Sequence, residues 1–191
     1  MRPGGVIPIA RCGRVGAPGA LHRAGFSLLE LLISLGIVAV LLGLLLPLIN
    51  RARVAERSVA CLSNLKTLAL GLRMYATQHG GRLPDPGDSA IPWEQMIRPQ
   101  LGTSRFFECP ADVEMFPNLG SSYDWRDTGN PLTTMAGRPL AEARSDLVLV
   151  FDSLPSWHQP KRINVALIDA SAKTMDQGEC FADLDSPVGL R

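Results

Sequence analysis

The sequence predicts an α+β fold in which one long N-terminal helix packs on a small antiparallel β-sheet. Three observations support this prediction. Residues 26–49 form an apolar run with a single charged residue, Glu30. Residues 50–79 continue with apolar side chains at spacings of three and four, which is the period of a helix. Two β-rich segments, 146–152 and 162–168, follow much later, and helices and strands that are separated in this way are typical of the α+β class.

The formal net charge of +1 conceals an uneven distribution of charge. Residues 1–25 carry four of the 19 basic residues and none of the 18 acidic ones, which leaves 15 basic against 18 acidic side chains in the rest of the chain. A chain with this balance lacks the broad basic surface with which proteins bind nucleic acid. The composition therefore argues against nucleic acid as a partner.

The apolar run at 26–49 is predicted to be a retained membrane anchor. Its 24 residues would extend roughly 36 Å as a helix, which exceeds the ~30 Å thickness of a hydrocarbon core. A secretory signal peptide has a shorter apolar region of about 7–15 residues before a small-residue cleavage site, and no such site follows this run. Arginines lie on both sides of the run, so charge alone does not orient it.

Glu30 is the unusual residue of this run. A carboxylate near the end of an apolar helix can reach the interface, at a cost below the ~2.5–3.5 kcal/mol of a charge at the bilayer centre. The residues alone leave two interpretations open. Glu30 is either a tolerated interfacial side chain or one half of an intramembrane ion pair with a partner subunit.

The order of residues around Glu30 is the clearest signal in the sequence. A basic leader precedes Gly25, Phe26 and Ser27, two leucines follow, and Glu30 comes next, at the start of the apolar run. This pattern resembles the prepilin processing site of type IV pilins and type II secretion pseudopilins. The resemblance implies cleavage between Gly25 and Phe26 by a prepilin peptidase, N-methylation of Phe26, and pairing of Glu30 with the Phe26 amine of a neighbouring subunit. Such a pair favours association, because each charge is costly alone in lipid.

The same resemblance implies an organisation of the chain into four parts. These are a prepilin leader at 1–25, a transmembrane and assembly helix at 26–49, its amphipathic continuation at 50–80, and a periplasmic globular head at 81–191. The tail from Asp176 onward has little pattern, and we expect it to be mobile.

The function implied is that of a structural subunit, not an enzyme, which crosses the inner membrane once and is processed by prepilin peptidase. It would assemble into a type II secretion pseudopilus or a type IV pilus-like filament. The implied partners are the peptidase, other pilin-like subunits, and an inner-membrane assembly platform with its ATPase. The alternative is a membrane-tethered periplasmic binding or sensor domain that does not polymerise.

Pro47 lies near the end of the apolar run, and pilin-like helices often carry a proline at this point. Proline has no backbone N–H and clashes with the carbonyl four residues earlier, which here belongs to Gly43. We expect a kink or local melting at 43–47. The resemblance implies that helices loosened at this point pack together in a filament. An incidental kink is the other interpretation, because proline is tolerated in transmembrane helices.

The rest of the head is predicted from turn and strand signals. Residues 82–145 are rich in turn residues, with a short helix predicted at 91–101 and a strand or ordered loop at 121–125. A turn at 169–171 joins the second β-rich segment to a third strand at 172–175. This arrangement predicts a hairpin.

The four cysteines are Cys12, Cys61, Cys109 and Cys180, and no two have the C-x-x-C spacing of a zinc or thioredoxin-like site. Removal of Cys12 with the leader would leave three, which suggests one disulfide and one free thiol. We favour Cys61 with Cys109, because both flank the start of the globular part. A bond between Cys109 and Cys180 stays open.

A second pattern runs through the head, and it includes C-x-x-N-L-K from Cys61, C-P-x-D from Cys109, and later Asp152, His158, Asn164 and Asp169. It resembles pseudopilin-like proteins of planctomycete-type bacteria. Two features depart from that pattern. Ala170 replaces the expected glycine, and the gap from His158 to Asp169 is longer by one residue.

Catalysis and calcium binding are the other functions considered. Asp152, His158 and Asp169 could form an acid/base or metal cluster, but no nucleophile motif such as G-x-S-x-G accompanies them. We therefore expect no catalytic site and no cofactor. Calcium is a minor alternative, because major pseudopilins often hold Ca²⁺ in a C-terminal loop and oxygen ligands are present at Asp176, Glu179, Asp183 and Asp185. Their spacing matches no recognised calcium loop.

Overall fold

A computed structural model describes residues 27–89 and 91–189. The chain divides into two compact units, the first of which ends at Leu44, and each is described separately. Helix α1 (Leu28–Gln78) contributes to both units. The sequence predicted this helix at about 26–79, so the long N-terminal helix is confirmed.

The first unit contains the apolar start of α1. Its described side chains, from Ser27 to Leu44, are all exposed. Among the described residues, α1 is the one helix that is long and apolar enough to cross a membrane. Its length and composition fit the predicted single-pass anchor.

Pro47 lies inside α1, and the helix continues through it. The helix therefore does not melt locally at 43–47, and the kink that was predicted as the other outcome stays a prediction. Proline cannot donate a hydrogen bond to the Gly43 carbonyl. The loss of this one hydrogen bond does not unwind the helix at Pro47.

The second unit contains a four-stranded sheet in the order β1-β2-β3-β4. The strands are β1 (Tyr123–Trp125), β2 (Val148–Asp152), β3 (Arg162–Leu167) and β4 (Ala172–Asp176). Each strand pairs antiparallel with the next one in the chain. The predicted α+β class and its antiparallel sheet are thereby confirmed, and β1 is a strand where the sequence left strand or loop open.

Short helices fill the connections of this unit. They are α2 (Pro86–Ser89), α3 (Trp93–Leu101), α4 (Met115–Leu119) and α5 (Gln177–Leu184), with 3-10 turns at Arg105–Phe107 and Leu140–Glu142. Helix α3 agrees with the helix predicted at 91–101. It ends at Gly102, whose φ of 70° is the left-handed conformation that glycine adopts without strain.

Both faces of the sheet are covered. On one face, Cys61, Leu65, Leu68 and Leu72 of α1 are fully buried at the helical spacings of four, three and four. They belong to one cluster with side chains from α3 and the sheet, namely Trp93, Ile97, Trp125, Leu149, Val150 and Ala166. A second cluster joins the sheet to α5, and it comprises Val148, Ile163, Val165, Leu167, Cys180 and Leu184. The sheet is thus packed between two helices.

The prediction of a patternless, mobile tail from Asp176 is wrong for most of its length. Helix α5 occupies Gln177–Leu184, and Val188 beyond it is also buried. Asp176 accepts a hydrogen bond from the Gly178 N–H at 2.8 Å and so caps the helix. The tail folds because its few apolar residues reach the sheet and because Arg126, distant in sequence, binds the end of α5.

The turn between β3 and β4 agrees with the prediction at 169–171. Ala170 has a φ of 67°, a left-handed conformation that costs a residue with a Cβ about 1–2 kcal/mol. The Leu167 N–H donates to the Ser171 carbonyl at 2.8 Å, and the Ser171 N–H donates to Asp169 Oδ1 at 2.8 Å. The turn therefore forms with alanine at a position where glycine would be unstrained.

Candidate functional site

The first candidate site is the exposed N-terminal part of α1. Glu30 lies in its first turn, where the partial positive charge of a helix N-terminus favours a carboxylate. The exposed side chains around it are mostly apolar, and they include Leu28, Leu31, Leu35, Val38, Leu42 and Leu46. A continuous apolar surface of this extent requires lipid or another protein to cover it.

Two of the predicted processing residues, Gly25 and Phe26, lie outside the described residues. The structure places Glu30 and Pro47 on the same helix, as the sequence predicted.

The second candidate site is a buried cluster in the head around a disulfide. Cys61 and Cys109 are bonded, which is the pairing that the sequence analysis favoured over Cys109 with Cys180. Cys180 is a buried free thiol, and burial raises its pKa to about 12. The disulfide fastens α1 to the segment that follows the 3-10 turn at Arg105–Phe107.

Asp152 and His158 lie beside this disulfide. His158 Nε2 is 3.4 Å from Cys109 Sγ and 3.9 Å from Asp152 Oδ2. Burial raises the pKa of Asp152 to about 7, which a hydrogen bond from the Asn164 N–H at 3.1 Å only partly offsets. Burial, and then the charge of Arg57, lower the pKa of His158. Both shifts favour the neutral forms, so the cluster is not held together by a strong ion pair.

Asp169, the third member of the acid/base trio considered from sequence, does not join this cluster. Its side chain is exposed at the β3–β4 turn, where it accepts the hydrogen bond from Ser171. The structure therefore brings together two of the three residues. Asp169 instead stabilises the β3–β4 turn through its hydrogen bond from the Ser171 N–H.

Asp112 and Ser122 hold the segment that carries Cys109. Asp112 accepts hydrogen bonds from Ser122 Oγ at 2.5 Å and from the N–H groups of Glu114, Met115 and Phe116 at 2.7–2.8 Å. Ser122 Oγ in turn accepts from the Cys109 N–H at 2.9 Å. The C-P-x-D stretch thus has a structural explanation, since its aspartate binds the backbone that follows the cysteine and also holds Ser122, which accepts from the Cys109 N–H.

Two of the four acidic residues considered for calcium make other contacts. Asp176 caps α5, and Asp183 Oδ2 pairs with Arg126 at 2.7 Å. Over residues 27–89 and 91–189, the one group of three His, Cys, Asp or Glu ligands close enough to share an ion is Cys61, Cys109 and His158. The tail carboxylates do not form such a group.

Comparison with protein families bears on the first site. Residues 21–46 match the family model of the prokaryotic N-terminal methylation motif. The chain carries an N-terminal methylation motif. No curated protein and no solved structure matches the chain.

The methylation motif contains Gly25, Phe26 and Glu30 and ends just before Pro47. It makes the N-terminus that of a pilin-like substrate of prepilin peptidase, and it confirms the resemblance read from the order of these residues. The match covers the anchor and not the head. The likeness of the head to planctomycete-type pseudopilins stays a prediction.

Sequence reasoning missed Arg126, whose side chain is fully buried. It donates hydrogen bonds to the carbonyl oxygens of Thr133, Asp183 and Ser186 at 2.7–2.9 Å. Burial lowers the pKa of Arg126, and the neighbouring Asp183 partly restores it. An isolated arginine in a turn-rich segment gives no periodic signal, so nothing in the sequence indicated this role.

Proposed function

We propose that this protein is a structural subunit that prepilin peptidase processes and that then assembles into a pilus-like filament. The filament is either a type II secretion pseudopilus or a type IV pilus-like fibre. The observation that carries the proposal is the methylation motif at 21–46, which coincides with an apolar helix whose described side chains from Ser27 to Leu44 are all exposed. In this proposal an inner-membrane platform and its ATPase drive assembly, and the head faces the periplasm.

Glu30 supplies the specificity of the proposed assembly. It is the only charged residue in 26–49, and its carboxylate is costly in lipid without a partner. Cleavage after Gly25 would create a new positive charge at the Phe26 amine. A neighbouring subunit could satisfy Glu30 with that amine, so that the pair forms only on association and fixes the axial position of one helix against the next.

The head of the second unit suits a mechanical role. The bond between Cys61 and Cys109 closes a loop of 48 residues, which in the chain-entropy account stabilises a fold by about 4 kcal/mol. The sheet is packed on both faces, and its last helix is fastened by Arg126. Such a head keeps its shape when force is applied through the chain.

The proposal is tested by comparing Glu30→Ala with Glu56→Ala, which changes an exposed glutamate of the same helix outside the apolar run. Both variants are expressed with the peptidase and the assembly system, and the sedimentable filament fraction is measured. We expect Glu30→Ala to be processed and inserted but to lose filaments, whereas Glu56→Ala keeps them. Filaments at the unchanged level in Glu30→Ala would contradict the proposal and favour a tethered domain that does not polymerise.

A further inference from the structure

The disulfide of the head lies in a cluster that contains more potential metal ligands than a structural crosslink needs. Cys61 Sγ, Cys109 Sγ and a ring nitrogen of His158 all lie within 4.8 Å of one another. Both cysteines are fully buried and His158 is 8% exposed. The ligands come from three separate elements, namely α1, the segment before α4 and the β2–β3 connection.

We propose that Cys61, Cys109 and His158 form a binding site for Zn²⁺ when the two cysteines are in the dithiol form, with Asp152 at the fourth position. This inference concerns the head alone and does not depend on the proposed assembly. Cys₂His sites with one further ligand are an ordinary zinc donor set.

The spacing of the donor atoms fits that coordination. Zinc binds sulfur at ~2.3 Å and imidazole nitrogen at ~2.0–2.1 Å, so neighbouring ligand atoms of a tetrahedral site lie about 3.5–3.8 Å apart. His158 Nε2 is 3.4 Å from Cys109 Sγ. The two cysteine Cα atoms are 5.4 Å apart, so side-chain rotation is enough to bring their reduced sulfurs to the required separation.

Hydrogen-bond donors are already directed at both sulfurs. The Ala111 N–H, two residues after Cys109, points to Cys109 Sγ at 3.5 Å, and Tyr123 Oη donates to Cys61 Sγ at 3.3 Å. Asn64 Nδ2 supports Tyr123 Oη at 3.3 Å. Disulfide and thiol sulfurs are weak acceptors, whereas a metal-bound thiolate benefits from such outer contacts, which orient the ligands and tune the metal.

Asp152 lies beside these three ligands on the side of His158 and offers a carboxylate oxygen as the proposed fourth ligand. Its side chain is almost fully buried, at 2% exposure, and its Oδ2 is 3.9 Å from His158 Nε2. Its Oδ1 has no hydrogen-bond partner among the described residues. A buried carboxylate oxygen without a partner is costly, and a cation bound by the carboxylate would offset that cost.

The disulfide and metal-bound states exclude each other. A dithiol or phosphine reductant gives two electrons to the disulfide, the sulfur–sulfur bond breaks, and each sulfur takes up one proton. Binding of Zn²⁺ then releases both thiol protons as two zinc–sulfur bonds form. The head therefore holds either a crosslink or a metal at the same point between α1 and the segment before α4.

Co²⁺ is a suitable probe, because its complexes with thiolates absorb by charge transfer and Zn²⁺ displaces it. The full-length protein in detergent is reduced with a phosphine and titrated with Co²⁺. We expect one equivalent to bind with the thiolate-to-cobalt absorption, and Zn²⁺ to abolish that absorption. The oxidised protein should show none of it.

Variants separate the proposed site from other thiols. Cys61→Ser and Cys109→Ser should lose the charge-transfer absorption, and Tyr123→Phe should weaken binding by about 10–100-fold. His158→Gln, whose folding is checked while the disulfide is intact, should bind at least tenfold more weakly. Cys180→Ser, which changes the buried thiol outside the cluster, should bind as the unaltered protein does.

Three outcomes would overturn the proposal. The first is equal Co²⁺ binding by Cys109→Ser, and the second is equal binding by His158→Gln. The third is a reduced protein that shows no thiolate absorption with Co²⁺, whether it stays folded or unfolds. Unfolding of the reduced protein would not rescue the proposal, because metal binding to a site formed only in the native state should drive refolding.

Discussion

Arg126 Nη1 lies 2.7 Å from Asp183 Oδ2, and the arginine side chain is completely buried while the aspartate side chain is 20% exposed. The same carboxylate oxygen accepts the Val148 N–H at 2.9 Å. Arg126 follows β1, Val148 begins β2, and Asp183 lies in α5, so one ion pair joins three elements. A single buried arginine thereby connects the C-terminal helix to the sheet.

Removal of the carboxylate should release α5. Asp183→Ala leaves the Arg126 charge buried without its partner, which typically costs about 3–5 kcal/mol. Because Cys180 belongs to α5 and is buried against the sheet, the local effect is an increased rate of Cys180 alkylation by a thiol reagent. Asp185→Ala, at an exposed position of the same segment, is the control and should leave that rate unchanged. Equal rates in both variants would mean that the ion pair does not hold the helix.

Loss of the disulfide should lower the stability of the head. The double change Cys61→Ala with Cys109→Ala removes a crosslink over 48 residues, and we expect the free energy of unfolding to fall by about 2–5 kcal/mol. Guanidinium unfolding in detergent, followed by tryptophan fluorescence, measures the difference. Trp93 and Trp125 are buried in the core next to Phe107 and report its loss. An unchanged midpoint would show that the bond contributes little.

Asp112 should make stability depend on pH in the acidic range. Burial alone would raise the pKa of Asp112, but its hydrogen bonds from Ser122, Glu114, Met115 and Phe116 outweigh burial and lower the pKa. A group whose pKa is lower in the folded state contributes stability above its unfolded value near 4, and this contribution is lost as pH falls through the folded pKa. We expect Asp112→Asn to cost about 1–3 kcal/mol at neutral pH.

The same variant should become less different from the unaltered protein as the solution is acidified. Glu114→Gln, an exposed neighbour, is the control and should show no comparable penalty at neutral pH. Denaturation midpoints measured across the acidic range give the comparison. A penalty for Asp112→Asn that stays constant down to the lowest pH would contradict the role assigned to these hydrogen bonds.

Position 170 in the β3–β4 turn, where Ala170 has a left-handed conformation, should accept glycine but not a β-branched side chain. Ala170→Gly removes a conformational cost of about 1–2 kcal/mol but also loses a buried methyl worth about 0.8 kcal/mol, so stability should rise by about 0–1 kcal/mol. Ala170→Val places a β-branched side chain at φ 67°. It should lower the stability of the head by more than the amount that Ala170→Gly adds. Chemical denaturation measures both variants. A more stable valine variant would refute the account of this turn.

The parts of the fold that could be predicted are those with a repeating pattern. The buried stripe of α1 through Cys61, Leu65 and Leu72 follows helical spacing, and strands β2 and β3 are continuous β-rich segments. Their bounds agree with the prediction to within two residues. The anchor was predictable for the same reason, since its length and its order of residues are both local features.

The parts that could not be predicted depend on contacts between distant residues. Arg126 and Asp183 are 57 positions apart, and no pattern links them, so the sequence does not predict α5. A proline in an apolar helix is compatible with a kink as well as with local melting, so the sequence did not decide between them at Pro47. The neighbourhood of Asp152 and His158 was considered, but the sequence did not show that Asp169 would be used by its own turn.

The central claim is that the methylation motif is processed as in a prepilin. Its most direct test is the intact mass and N-terminal sequence of the membrane-extracted protein, with and without an active prepilin peptidase. We predict a chain that begins at Phe26 and carries one methyl group, and that appears only when the peptidase is present. A chain that begins at Met1 in both cases, or one released after Ile49, would contradict the account.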